Sequence, residues 1–490
     1  MGLQIDRSEF TDDEFEHAHE RVQENLAALE LLMQRPGFGQ GDTTLGAEVE
    51  MSVVDENAQA LPLNREILAQ SIDPNLQLEL DRFNLEYNMS PVDAKGTPFS
   101  EMQGELDKAL QVLDTIAAKF DGRIITIGIL PTLTIEQLQK GAMTDLERYR
   151  ALANGIRRIR REQFHIKIDG AEPLDVDCDS VTIEGANTSF QLHLRVNPDD
   201  FADTYNAAQL ATPLALAVGA NSPFLLGHSL WSETRIALFK QSVDTRAADS
   251  NAWRRVARVP FGHGWVRDGA FELFAESGAL YPVLIPVCSD EDSMQIVKDG
   301  GLPELADLRL LQGTIWNWNR AVYDSNAGGH LRIELRALPS GPTPLDMMAS
   351  AAFLLGLTMG LRDEVRPMLP ALPFRYAEYN FYRAAQLGLD ATLLWPDRAG
   401  MSPRAVSASE LCAELLPIAG KGLQLLGVDD DEAGRMLGII GDRIESQTTA
   451  AIWQRRTLES CGIKDRAEAL VALVDEYQSR VKTGLPVTEW

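Results

Sequence analysis

The chain has 490 residues, 45% hydrophobic and 24% charged, a globular composition with ample apolar material for a large core. Asp plus Glu number 72 against 45 Lys plus Arg, a formal charge of -27, so nothing overall attracts nucleic acid or an anionic membrane. That balance still allows a small anionic substrate, held by a few local arginines or by metal ions on carboxylates.

In chain order, residues 9 to 35 place Phe15, Val22, Leu26, Leu29, Leu32 and Met33 near helical period, and Thr11 with Glu14 makes a capping-box pattern. PGFGQGD breaks this helix, and LGAEVEMSVVD follows as a strand. LQLELDRFNLEYN, residues 76 to 88, reads as a hairpin with Asp81-Arg82-Phe83-Asn84 as its loop. That register sets Leu80 against Leu85, Glu79 against Glu86 and Gln77 against Asn88. Next come an amphipathic helix in EMQGELDKALQVLDTIAAKF, a buried strand in GRIITIGILP, and a second helix in TDLERYRALANGIRRIRREQ. The arginines of the second helix cluster toward its C-terminal end, where the macrodipole favours them. TSFQLHLRV is an alternating strand and LATPLALAVGANSPF an apolar helix; GAFELFAES, YPVLIPV and GHLRIELRALP read as further strands. From about residue 343 the chain reads as helical. This pattern favours an α+β fold or a mixed sheet over regular βαβ winding. The expected divisions are an N-terminal helix over 1–40, a catalytic region over 41–400 and a helical C-terminal region over 401–490.

Cys178, Cys288, Cys412 and Cys461 lie far apart, with no CxxC pair and no zinc spacing, which suits a reduced, cytoplasmic interior. The acidic, polar N-terminus lacks the apolar core of a signal peptide, and no run approaches 18 uninterrupted apolar residues. The expectation is therefore no membrane partner. Cys178 sits among aspartates with no basic neighbour, so a nucleophilic role is rejected.

Side chains two apart on a strand share a face. Glu48 and Glu50 therefore point together, as do Gln191, His193 and Arg195, and His330, Arg332, Glu334 and Arg336. An ordinary half-exposed antiparallel sheet also carries one polar face. Here, however, like charges are grouped, and carboxylates facing each other across strands sit roughly 5 Å apart and repel. Protonation or intervening cations would relieve that cost. All-oxygen ligands suit magnesium or manganese better than zinc, and arginines at the edge suit carboxylates or phosphates. Metal beside anion-gripping arginine suggests phosphoryl chemistry. No GxxxxGK[ST] and no GxGxxG after a strand occurs, so metal and arginine would have to hold any phosphates. Trp316 and Trp318 fit core or rim aromatics better than an adenine stack.

These residues lie in stretches that resemble the glutamate–cysteine ligase and carboxylate–amine ligase family, whose fold is related to glutamine synthetase. The matching stretches are LGAEVEM, the hairpin glutamates seven residues apart, LPT at 130–132, ERYRAL, SFQLHLRV, GANSPFLLG with downstream Arg235, IWNWNR, IELRALPSGPT and NFYRAAQLGLDA. They occur in family order from about residue 45 to about 391. The resemblance implies a curved, mainly antiparallel sheet forming an active-site funnel, with flanking helices. It implies Glu48, Glu50, Glu79, Glu86 and Glu334 as ligands to two or three magnesium ions, manganese being possible. It places Gln191 and His193 on the strand that contacts metal or nucleotide, and makes Arg235, Arg320 and Arg336 the grips for carboxylates and phosphates. The implied reaction is ATP-dependent amide formation, in which glutamate's side-chain carboxylate becomes an acyl phosphate that an amine, cysteine in the type reaction, displaces. Val49 stands where many relatives carry an acidic or polar residue, which leaves the acceptor open. Small-molecule substrates and a monomer or small homo-oligomer are expected. A hydrolase working through paired carboxylates, or a non-catalytic nucleotide-binding relative, are the alternatives.

Overall fold

Strand β1, Thr44–Val54, is the element on which the main sheet is assembled. Its odd-numbered residues Ala47, Val49, Met51 and Val53 are buried almost completely, while Gly46, Glu48, Glu50 and Ser52 share the other face. The computed structural model describes residues 5–246, 255–397 and 402–490. The expected boundary at 400/401 lies outside them.

The other strands of that sheet are β2 (Leu76–Leu78), β3 (Asn84–Asn88), β4 (Val92–Asp93), β5 (Arg123–Ile125), β6 (Phe190–Val196), β7 (Asn319–Asp324) and β8 (His330–Leu335). The spatial order is β7-β8-β6-β1-β3-β2, with β4 and β5 also paired to β1. Every pairing within it is antiparallel, and the sheet curls into a half barrel. The expected curved antiparallel sheet is present.

Its apolar face is covered by the helix Phe201–Gly219, which touches β7 and β8 and packs in turn on Pro344–Arg362. The latter helix meets Ala408–Leu426 so closely that a Cβ on Gly422 would lie 1.8 Å from the Gly356 carbonyl oxygen. Pro344–Arg362 is long and apolar enough to cross a membrane, yet 89% of its apolar window is buried within the protein. The first helix, Asp12–Met33, begins with the capping box expected of Thr11 and Glu14.

Three readings of local structure are corrected. Residues 269–277 do not form a strand: Phe271–Leu280 is a helix. Its Phe274, Ser277 and Gly278 are buried at helical spacing, and a Cβ on Gly278 would lie 2.6 Å from Leu26 of the first helix. Residues 281–287 are irregular, because Pro282 and Pro286 lack the amide hydrogens a ladder needs. The hairpin register is shifted by two: Gln77, not Glu79, stands opposite Glu86, and Leu78 opposite Leu85. The connection is longer than four residues because Asn64 Nδ2 donates to the carbonyls of Asp81 (3.1 Å) and Asn84 (3.2 Å), and Asp81 bridges to Met143.

Candidate active site

The polar face of the curled sheet opens on a cavity of about 500 Å³, within the usual size of small-molecule sites. Strand alternation directs Glu48 and Glu50 of β1 and Glu86 of β3 to it, with Glu79 entering from the hairpin connection. Gln191 of β6, Arg320 of β7, and Arg336 just beyond β8 line it from the other side. The sheet order thus separates charge: acids on β1, β3 and the β2 connection, arginines at β7 and β8.

Register makes the acidic side costly. Glu50 lies directly opposite Glu86, and Glu48 opposite Asn88. The Glu50 carboxylate accepts from the Ser189 backbone N–H (2.7 Å) and from Gln191 Nε2 (3.1 Å). Glu86 accepts from Asn88 Nδ2 at 2.9 Å. Burial pushes the Glu86 carboxyl well above its ordinary range, and Glu48, Glu79 and Glu50 add to the shift. Burial, then Glu50, pushes Glu79 up to about 7. Burial also raises Glu50, against the pull of Arg235.

Across the sheet the balance reverses. Burial alone would raise Glu334, but Arg320 and Arg336 hold its carboxyl far below the ordinary value. Arg320 donates to both Glu334 oxygens, at 2.7 and 3.0 Å, the bidentate geometry of a strong pair. Arg336 donates to Glu334 Oε1 and to Gln191 Oε1. His193 stands opposite Glu334 across β6 and β8, and its Nε2 lies 3.0 Å from Glu48 Oε1. Burial raises Glu48 as well, but His193 outweighs it and leaves the carboxyl below its usual value. Atoms of Glu48, His193 and Glu334 all lie within 4.8 Å of one another, a spacing at which three side chains can share one ion.

Arg235, 2% exposed, begins its helix on the far wall and donates to Glu233 Oε1 (3.0 Å) and to the Ala337 carbonyl (3.1 Å). The structure therefore brings all ten singled-out residues to one region: Glu48, Glu50, Glu79, Glu86, Gln191, Arg235, Arg320 and Arg336 line the cavity, and His193 and Glu334 lie beside them. Trp318, 1% exposed, is packed edge-on against Phe239, and both it and Trp316 contribute to the cavity wall.

Sequence reasoning missed Glu184, Asn187, Arg148 and Tyr149, which also line the cavity. Burial, then Glu50 and Glu79, pushes Glu184 up to about 8. Arg148 and Tyr149 lie inside the quoted ERYRAL stretch, so a signal existed for them. Glu184 and Asn187 lie on and just after a six-residue 3-10 helix, Val181–Ala186, too short to carry a periodicity to read.

The acidic side has the donor chemistry of a hard divalent cation: several carboxylate oxygens and no thiolate. The arginine side has the donors for phosphate or carboxylate oxygens. No curated protein sequence matches the chain. Among solved structures, a glutamate–cysteine ligase from Francisella tularensis in complex with AMP superposes with a TM-score of 0.53 at 11% identity, over 91% of this chain and 90% of that one. At that identity the likeness is one of fold. A bifunctional glutathione synthetase from Pasteurella multocida gives 0.47 at 11% identity, over 94% of this chain and 55% of that one. PafA, the ligase of the ubiquitin-like protein Pup, gives 0.38 at 12% identity, over 87% and 71%. The model of glutamate–cysteine ligase family 2 matches residues 44–473, and the chain belongs to that family.

Proposed function

We propose that this protein is an ATP- and magnesium-dependent ligase that joins the side-chain carboxylate of glutamate to an amine. Family membership and the fold support the carboxylate–amine ligase class. The observation that carries the finer reading is the Glu50–Glu86 pair, two half-buried carboxylates directly opposed and, among the described residues, with no cationic side chain hydrogen-bonded to either. Glu48, Glu50, Glu79 and Glu86 would hold the ions, with His193 and Glu334 completing a second group. Bound magnesium would neutralise the phosphate charge of ATP and relieve the repulsion among these carboxylates.

The rest of the chemistry is positioning. Arg235 and Arg336 face the cavity from the wall opposite the acids, where they would grip the substrate carboxylate and the phosphates. Glu334 fixes the planes of Arg320 and Arg336, so neither arginine reorganises when charge develops beside it. A glutamate side-chain oxygen attacks the γ-phosphorus, the bond to the bridging oxygen breaks, and ADP leaves. The amine nitrogen then attacks the acyl carbon of the resulting acyl phosphate, phosphate departs, and the nitrogen loses its proton. No protein nucleophile is required, in keeping with the buried thiols of Cys178 and Cys412.

Cysteine is the first acceptor to try, and a cytoplasmic setting fits its reduced thiol. The experiment is phosphate release from ATP with magnesium, glutamate and a panel of amines. Release that requires both glutamate and an amine is expected; release indifferent to glutamate would sink the proposal.

A further inference from the structure

The segment 181–187 holds two side chains whose acceptors find no hydrogen-bond donor among the described residues. Asn187 is 7% exposed and lines the cavity. Its Nδ2 donates to the Glu184 carbonyl at 2.8 Å, which fixes the amide's orientation and leaves Oδ1 as the remaining acceptor. That Oδ1 is buried without a hydrogen-bond partner, an arrangement that costs free energy unless a ligand supplies a donor. The Glu184 side chain lines the same cavity, and among the described residues it accepts no hydrogen bond.

The segment holds these groups rigidly. The Asn187 backbone N–H returns to the Glu184 carbonyl at 2.9 Å, and Asn187 bridges to Ile129. Thr188 N–H donates to the Gly128 carbonyl at 2.9 Å. Gly185 lies so close to the buried Asp81 that a Cβ there would be 2.5 Å from its carboxylate, so the turn cannot shift inward.

A carboxylate and a fixed amide oxygen, both lacking donors, complement a group rich in N–H and carrying or able to carry positive charge. They stand off the sheet, Glu184 on the short helix Val181–Ala186 and Asn187 just beyond its end, with Glu184 near enough to Glu50 and Glu79 for their charges to add to the burial that raises its carboxyl. We infer that Glu184 and Asn187 Oδ1 form the subsite that receives the nitrogen of the acceptor, a primary amine, by accepting its N–H bonds. This rests on the ligase reading above and deepens it: the donor carboxylate is activated at the arginine and metal face, and the amine is presented from the 181–187 turn.

The test separates activation from amine capture. Glutamate-dependent scrambling of oxygen isotopes between the β,γ-bridge and the β-nonbridging positions of ATP, without amine, reports reversible acyl phosphate formation. L-cysteine and hydroxylamine serve as amine probes; hydroxylamine captures any accessible acyl phosphate as a hydroxamate. In the wild-type enzyme the hydroxylamine rate should saturate. Glu184→Gln and Asn187→Ala should each raise half-saturation for the amine about tenfold or more, the loss expected for a charge-assisted hydrogen bond. Half-saturation for glutamate and for magnesium should move less than twofold. A wild-type rate linear in hydroxylamine, or unchanged amine half-saturation in both variants, would overturn the assignment. A matching rise in the magnesium requirement would also overturn it, by making the pair metal ligands. A wild-type enzyme without glutamate-dependent scrambling would instead remove the ligase reading itself.

Discussion

Glu50 stands directly opposite Glu86 on neighbouring antiparallel strands, and both half-buried carboxyls are raised. A fold does not gain stability from such a pair; the strain is held in place by the apolar face behind it, where Val49, Met51 and Leu85 are fully buried. Glu86→Gln should therefore stabilise the metal-free protein at pH 8, raising Tm by about 1–3 °C. The same change should abolish the thermal shift given by magnesium and lower turnover at least about a hundredfold, as expected for loss of a metal ligand. Melting curves with and without magnesium, alongside phosphate release, check both halves. A lower metal-free Tm would show that the pair is not repulsive.

The raised carboxyls give the metal-free protein a definite pH dependence. Glu79 titrates at about 7 and Glu184 at about 8 when folded, both above their unfolded value of 4.5. The native state therefore binds more protons than the unfolded state between these limits, and stability falls as pH rises through them. Tm without metal should decline between about pH 5 and pH 8, and the increment added by magnesium should grow over the same window. A metal-free Tm that climbs across that range contradicts the assignment.

Arg235 depends on Glu233, which is fully buried and also accepts from the Asn221 N–H (2.9 Å) and Ser222 Oγ (2.7 Å). Removing that acid leaves a guanidinium whose remaining side-chain hydrogen bond, among the described residues, goes to the Ala337 carbonyl. Glu233→Ala should cost about 3–5 kcal/mol of stability, the usual penalty for breaking a buried ion pair from one side. Denaturant unfolding measures it; a loss under about 1 kcal/mol would mean that water reaches Arg235.

How far the sequence discloses this site follows from which signals are periodic. Strand alternation alone put Glu48 with Glu50, and Gln191 with His193, on common faces, because a period of two survives any rotation of the whole strand. It did not set register: Gln77 and Glu79 share parity, and contacts remote in sequence, Asn64 to the Asp81 and Asn84 carbonyls and Asp81 to Met143, hold the connection that puts Gln77 opposite Glu86. FELF reads as alternating apolar residues, yet packing against Leu26 makes Phe271–Leu280 a helix. Glu184 and Asn187 were illegible for a simpler reason. Six residues of 3-10 helix are too few to show a period, and their importance lies in unpaired acceptors that only the folded surroundings define.

The C-terminal helices reach the site through Asp346, whose carboxylate is fully buried. It accepts from Arg443 Nη2 at 2.7 Å, from Thr343 Oγ1 at 2.8 Å and from the Val487 N–H at 3.2 Å. Thr343 caps the helix Pro344–Arg362, and three residues earlier Ser340 Oγ donates to the Glu50 carbonyl at 2.6 Å. Residues 443 and 487 are thereby tied to the backbone beneath the acidic pair. Asp346→Asn keeps the volume and two of the acceptor contacts but leaves Arg443, 2% exposed, without a counter-charge. Unfolding free energy should drop by about 3 kcal/mol, and the unfolding rate should rise. Because no group that faces the cavity changes, half-saturation for glutamate should stay within about twofold at a temperature well below Tm. Double substitution with Arg443→Met should recover much of the lost stability, since a buried pair can be replaced by apolar volume. Recovery of less than a third of the loss would mean that Asp346 acts chiefly through the Thr343 and Val487 bonds, not through its charge on Arg443.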